Sequence, residues 1–291
     1  MNHLISVLIF LLVAVPAITR SDESTVSDAR LASIATDKPG VVSINLCADQ
    51  MILELADAGQ IMSLTNLSQQ PAASVHFEQA SQYPVNKGSA EEVLALQPDL
   101  VIAGQYSNSY TLRLLQAANV RVETLPIAYS IEDVIENLER VAGWLGQDQR
   151  GQELTTGLRE RLKLLPSPQQ QRPRAAIYDP NGYTVGKDTL RGHILELAGW
   201  RNVALDRGID NYGSLPLETL LKLDPQILLA SPYSQGTWSR AQALNAHPAL
   251  HLGGLQASVV QVPSSQTICG GPWSLDVIER LVDLRLRSFS N

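Results

Sequence analysis

The stretch DQRGQELTTGLRERLKLL, residues 148–165, lies near the middle of the 291-residue chain and decides how the rest is read. Its apolar residues Leu154, Leu158, Leu162 and Leu165 recur at three- and four-residue steps, the mark of a helix with one narrow buried stripe, and Pro166 closes it. At about 1.5 Å of rise per residue the helix spans roughly 27 Å, the width of a small domain. On either side of it the chain repeats one plan. AEEVLALQPDLVIAG at 90–104 matches PLETLLKLDPQILLAS at 216–231, and with Pro98 set on Pro225, Glu91 falls on Glu218, Leu94 on Leu221, Leu96 on Leu223 and Ile102 on Leu229. MILELADAG at 51–59 and HILELAGW at 193–200 echo each other in the same order. The expected fold is α/β: two Rossmann-like lobes with mostly parallel sheets, joined by one long inter-lobe helix. Helix-proline-strand junctions common to any α/β chain are the bland alternative.

Length agrees with two lobes of ~120 to 130 residues each. A net charge of -7 without any Lys/Arg cluster argues against nucleic acid or an anionic membrane as partner. Residues 4–17, LISVLIFLLVAVPA, form an apolar run too short to cross a bilayer comfortably, followed by polar SDESTVSD. That is the h-region of a secretory signal peptide cleaved after Ala17, although its n-region carries only His3 beside the amino terminus; an uncleaved anchor is the alternative. No cysteine follows the run, so a lipid anchor is not expected. The division is then signal peptide 1–17, disordered lead-in 18–40, N-terminal lobe 41–147, inter-lobe helix 148–165 and C-terminal lobe 166–291.

Strands are expected at 41–45, 61–65, 100–103 and 121–125, then at 175–178, 202–204, 226–230 and 258–262. Helices fall between them, with 131–145 strongly amphipathic and a last one at 274–287. The segment 66–87 shows no period and is expected to be a long loop. Parallel α/β sheets bind ligands beyond the carboxyl ends of their strands. Those positions hold Asn45 and Cys47, Tyr106 and Tyr110, Tyr129, Tyr178 and Tyr183, Tyr212, Tyr233 and Trp238, and Cys269 and Trp273. Seven of the eight tyrosines fall there, Tyr83 being the exception, which points to an aromatic cleft for a large, flat or greasy ligand with a few polar anchors. The alternative is that tyrosine is simply common in loops. No nucleophile elbow, phosphate-binding glycine loop or HExxH motif supports catalysis, and His76, His193, His247 and His251 are scattered. Cys47 and Cys269, one per lobe, either form a disulfide, the default for a lone pair in an exported protein, or stand as free thiols near helix starts with lowered pKa values, able to ligate a metal.

The stretches VVSIN, MILELADAGQIMSLT, AEEVLALQPDLVIAG, DPNGYTVGKDTLRGHILELAGWRNVA and PLETLLKLDPQILLA resemble the periplasmic substrate-binding proteins of iron-siderophore and vitamin B12 ABC importers. The resemblance runs from about Val41 to the C-terminus, and its most specific features are the E-x6-P junction in each lobe and GKDT at 186–189. It implies a helical-backbone receptor with little hinge motion, no enzymatic activity and no resident cofactor. Its ligand, a cobalamin-like or iron-chelate molecule, would sit in the inter-lobe cleft. It also implies docking on an inner-membrane permease/ATPase complex through Glu91 and Glu218. Tyr212 falls where the B12-binding members carry a cleft aromatic. Anionic ferric siderophores call for cationic partners, and the candidates are Arg113, Arg191, Arg207 and Arg240. A corrinoid or haem is therefore favoured, although PSSQTICGGPW at 263–273 lacks the acidic and bulky residues of the familiar B12 binder. A monomer in the periplasm is expected. The competing readings are a free-metal receptor of similar fold, and an exported redox enzyme using Cys47 and Cys269.

Overall fold

The computed structural model describes residues 38–167, 170–231 and 257–289. The expected signal peptide, Tyr233, Trp238, Arg240, His247, His251 and the helix expected between strands 226–230 and 258–262 lie outside the described residues.

In the N-terminal lobe, β1 (Val41–Ser43), β2 (Ile61–Thr65), β3 (Val85–Asn86), β4 (Leu100–Gly104) and β5 (Arg121–Leu125) form a parallel sheet in the order β3-β2-β1-β4-β5. Around it lie α1 (Leu46–Leu55), α2 (Phe77–Ala80), α3 (Ala90–Ala95) and α4 (Ser109–Ala117). Next come α5 (Ile131–Leu145) and α6 (Asp148–Lys163). The C-terminal lobe contains β6 (Arg174–Ile177), β7 (Tyr183–Val185), α7 (Leu190–Leu197), β8 (Arg201–Asn202), β9 (Tyr212–Ser214), α8 (Leu217–Leu223), β10 (Ile227–Ala230), β11 (Ser258–Gln261) and α9 (Trp273–Phe289). Its parallel sheet runs β11-β10-β6-β8, and β7 pairs antiparallel with β9 as a separate ribbon.

The two sheets carry the repeat seen in the sequence. Read from the other edge, β8-β6-β10-β11 follows β2-β1-β4-β5, with β3 an addition to the first lobe. The matched junctions share a backbone device. Gln97 (φ 50°) and Asp224 (φ 42°) both turn left-handed immediately before the aligned prolines. A left-handed residue ends each helix, and the following proline forbids that residue a right-handed helical conformation.

The lobes do not have separate cores. One cluster runs from Val41, Leu100 and Ile102 through Leu138 and Val141 of α5 to Ile177, Trp200 and Leu281. The whole apolar face of α5 is buried, a Ser130/Asp133 capping box starts the helix, and Gly146 at φ 66° stops it.

Helix α6 packs along α5 and stops at Lys163. Gly151 allows the close approach, since a Cβ there would strike Ala142. The two ends of α6 are tied to different lobes. Arg150 donates to Leu55 O and pairs with Asp57 at 2.7 Å, whereas Arg161 pairs with Glu279 at 2.7 Å and Asp276 at 2.6 Å on α9. Lys38, Gln147 and Arg150 together hold the Asp57 carboxyl well below the usual carboxylate range. Such half-exposed pairs each contribute at most about 1 kcal/mol, so they fix the orientation of the strut while the apolar stripe holds it in place.

Two expectations are corrected. Segment 66–87 contains α2 and β3: β3 joins the sheet through Leu64 N to Pro84 O at 3.0 Å and Asn66 N to Asn86 O at 3.1 Å, and the Asn86 side chain adds bonds to Ser43 O, Ser63 Oγ and Leu64 O at 3.0, 2.9 and 3.0 Å. Tyr183 and Tyr212 sit in the β7–β9 ribbon rather than in loops. The GKDT motif supports that ribbon. Thr189 Oγ1 accepts from Gly192 N and donates to Gly186 O, and a Cβ on Gly192 would land on the Gly186 carbonyl.

Candidate functional site

In the N-terminal sheet the strand order reverses between β1 and β4, which opens a crevice at their carboxyl ends. Beyond β1, the Asn45 side chain caps α1 by accepting from Cys47 N and Ala48 N, both at 3.0 Å. Beyond β4, Gly104 lies so close to Asn45 that any Cβ would strike its amide, and the chain continues through Gln105 and Tyr106. The C-terminal sheet has the equivalent crevice between β6 and β10, bridged by Arg191 of α7. Its guanidinium pairs with Asp179 through both terminal nitrogens and donates to Ser231 Oγ at 3.0 Å. The Arg191 charge is thus neutralised inside the protein.

Between the two crevices lies a cavity of about 570 Å³, lined by both lobes. Asn45, Cys47, Tyr106, Tyr212 and Cys269 all line it. Tyr183 stacks on Tyr212 with ring centroids 6.1 Å apart and planes 20° from parallel. Burial, then the neighbouring Tyr183 and Tyr129, push the Tyr212 phenol up, Arg191 opposing and Tyr106 adding. Two tyrosines, one from each lobe, therefore line the cavity, with Tyr183 stacked behind Tyr212. Tyr106 and Tyr212 remain 83% and 61% exposed, which leaves ring surface for a ligand.

Four expected ligand contacts do not line this cavity, Tyr183 among them, which reaches it only by stacking on Tyr212. Tyr110 is exposed in the first turn of α4 and does not line it. Tyr178 is 1% exposed: it continues the alternation of β6, whose Ala175 and Ile177 face the shared core while Ala176 and Tyr178 face the opposite layer with Leu215 and Leu220. Trp273, 5% exposed, is a packing residue that meets His76 edge-on at 5.5 Å and donates through Nε1 to Cys269 O. Cys47 and Cys269 are joined in a disulfide between the lobes, 222 residues apart in sequence.

The cavity also holds residues that strand-end reading passed over: Thr65, Asn66, Asn86, Lys87, Gln105 and Arg191. Thr65 and Asn66 lie at the end of β2 and Asn86 and Lys87 at the end of β3, so the same rule finds the second pair once 66–87 is read as carrying a strand. Glu91 and Glu218 are exposed in the first turns of α3 and α8, one on each lobe, and neither forms a salt bridge with a described residue. Among the described residues no group of three or more His, Cys, Asp or Glu is placed to hold a metal ion.

Beneath Thr65, Asp49 is fully buried, and burial pushes its carboxyl up to about 7 despite hydrogen bonds from Ser43 and Thr65. The folded chain therefore holds a proton that the unfolded chain releases near pH 4. Stability from this group is full below that pH and is lost as pH rises through about 7. Melting scans between pH 5 and pH 8 should show a falling Tm whose slope flattens in Asp49→Asn, which keeps the acceptor for Thr65. An equal slope in the variant would refute the assignment.

The family profile described as "Periplasmic binding protein" matches residues 41–252. A cobalamin-binding protein of Halobacterium salinarum is 27% identical over 212 residues, covering 71% of this chain and 57% of that relative. The chain thus spans little more than half the length of this relative. An uncharacterized ABC transporter substrate-binding lipoprotein of Bacillus subtilis is 22% identical over 243 residues, covering 77% of this chain and 76% of its own length. Among solved structures, a periplasmic heme binding protein of Vibrio cholerae shares the fold with a TM-score of 0.71 at 20% identity, over 84% of this chain and 97% of that one. With the family profile covering more than half of its residues, the chain belongs to the periplasmic binding protein family.

Proposed function

We propose that the chain is the substrate-binding component of an ABC importer, which takes a cobalamin-like or iron-chelate ligand into the inter-lobe cleft and delivers it to a permease/ATPase complex. The observation that carries this reading is the cavity of about 570 Å³ whose mouth presents Tyr106 from one lobe and Tyr212 from the other. Its volume is that of a small-molecule site, and stacking on phenol rings suits a large planar or greasy ligand. Among the described residues its wall offers amides, one neutralised guanidinium and the single ammonium of Lys87 rather than a cluster of free cations, which favours a corrinoid or haem over a polyanionic siderophore chelate. Catalysis is not part of the reading. The core shared through α5 and the strut α6 make the cleft preformed, so ligand enters without a large domain closure.

Delivery is assigned to Glu91 and Glu218. Two solvated carboxylates set apart on separate lobes steer and orient docking on basic permease residues while remaining easy to release. The chain is read as an exported, soluble periplasmic monomer, freed of residues 1–17, with the Cys47–Cys269 disulfide formed after export. The test is a tryptophan-quenching and visible-absorbance titration of residues 18–291 with cyanocobalamin, haemin and a ferric siderophore panel. One-to-one saturation with a single class is expected. Failure to saturate with any of them refutes the ligand class.

A further inference from the structure

The loop at 263–273 does more than border the cleft. It belongs to the C-terminal lobe yet is fastened to the N-terminal lobe at several points. Ser264 Oγ donates to Ala72 O at 2.7 Å, Trp273 meets His76 edge-on, and Cys269 is bonded to Cys47 at the start of α1. His76 is itself held by Glu54 at 2.9 Å. Gly270 nestles against Val134 and Leu190, where any Cβ would collide with them. Both half-cystines line the cavity, Cys269 being 2% exposed and Cys47 partly buried. The bond that fastens the lobes therefore joins two residues of the cavity wall.

We propose that Cys47–Cys269 is a redox clasp gated by the ligand: open to a small dithiol through the empty cleft, shielded when the cleft is filled, and releasing the 263–273 loop when reduced. The gating rests on the cleft being the ligand site. In the exchange, one thiolate of the dithiol attacks the Sγ of Cys47, the less buried residue of the two. A sulfur–sulfur bond to the reductant forms as the Cys47–Cys269 bond breaks. The electron pair leaves on Cys269 Sγ, which takes up a proton. The second thiol of the reductant then attacks the mixed disulfide, freeing Cys47 as a thiol and leaving the reductant as its own disulfide. Two electrons and two protons pass from dithiol to protein. With the bond gone, the non-covalent ties that remain between the loop and the N-terminal lobe are the Ser264 hydrogen bond, the His76–Trp273 contact and the packing of Gly270 on Val134, and the cleft can widen on that side as they yield.

The test follows thiol appearance in the oxidised full-length exported chain, trapped with maleimide and weighed by mass spectrometry. Without ligand, dithiothreitol should reduce the bond at least about tenfold faster than a folded CxxC protein dithiol at matched thiolate concentration, because only the small reagent enters the cavity. Equal rates would place the bond on the outer surface and overturn the clasp. The second arm adds cyanocobalamin or haemin, whichever quenches tryptophan fluorescence. Reduction by dithiothreitol should then slow by about tenfold or more, in proportion to occupancy. An unchanged rate at confirmed saturation overturns the gating. Absence of quenching by both probes counts against the ligand reading instead, and the size comparison then decides the clasp alone.

Discussion

Serine at both Cys47 and Cys269 should lower the melting temperature of the mature protein by roughly 10 °C or more, the largest stability effect expected of any paired substitution here. The bond closes a loop of 222 residues. In the chain-entropy treatment, freeing a loop of that length returns about 5 kcal/mol to the unfolded state, an upper figure since compact unfolded chains recover less. Cys269 is buried and Cys47 partly so, and serine leaves a hydroxyl in place of each sulfur, adding to the loss. The contrast lies within the same lobe boundary. Removing Arg161, whose partners Asp276 and Glu279 are 60% and 43% exposed, should lower stability by no more than about 1 kcal/mol. A differential scanning measurement giving a double-serine variant within about 2 °C of wild type would show that the bond does not constrain the unfolded chain.

The second large effect is expected in transport rather than stability. In cells or proteoliposomes carrying the cognate permease, alanine at both Glu91 and Glu218 should reduce uptake by about 100-fold or more, since truncating one side of a desolvated charge pair costs about 2 to 5 kcal/mol. Ligand affinity of the purified variant should stay within about twofold, because neither glutamate lines the cavity. Each single variant should fall between. The placement supports this separation: the two carboxylates occupy equivalent first turns of the repeated helix-proline-strand unit, and neither is used in a salt bridge with a described residue. Glu92, beside Glu91, is instead engaged by Lys87 N, so Glu92→Ala serves as the control that should transport normally. Loss of ligand binding in the Glu91/Glu218 double variant would sink the docking assignment.

Much of the architecture was legible because long amphipathic periods and the internal repeat both survive in the sequence. The apolar positions of 131–145 define α5 to the residue, and the matched prolines Pro98 and Pro225 mark equivalent turns. Short elements were not legible. Strand β3 has two residues, and β7 and β9 have three each, all too brief for a period to show. At the site, the strand-end rule found Asn45, Tyr106, Tyr212 and both cysteines but could not say which way a side chain points. Tyr178 lies one position past β6 and the strand's alternation turns it into the outer layer, whereas Trp273 is drawn inward by Gly271 and the Cys269 carbonyl. Arg191 stood among the possible cations. Its pairing with Asp179, which changes what the cleft offers, depends on the fold setting the start of α7 against the end of β6.

The central claim is that one ligand is held between the lobes and touches both. Affinity of the ligand selected by the titration panel should be measured for Tyr106→Ala, Tyr212→Ala and the double variant, with Tyr110→Ala as the exposed aromatic outside the cavity. Each cleft variant should weaken binding by about 10- to 100-fold, as loss of a stacked anchor predicts, the double more than either, and Tyr110→Ala should bind as wild type. Undiminished affinity in either cleft variant, with the loss confined to one lobe or shared by Tyr110→Ala, would contradict a site spanning the two lobes.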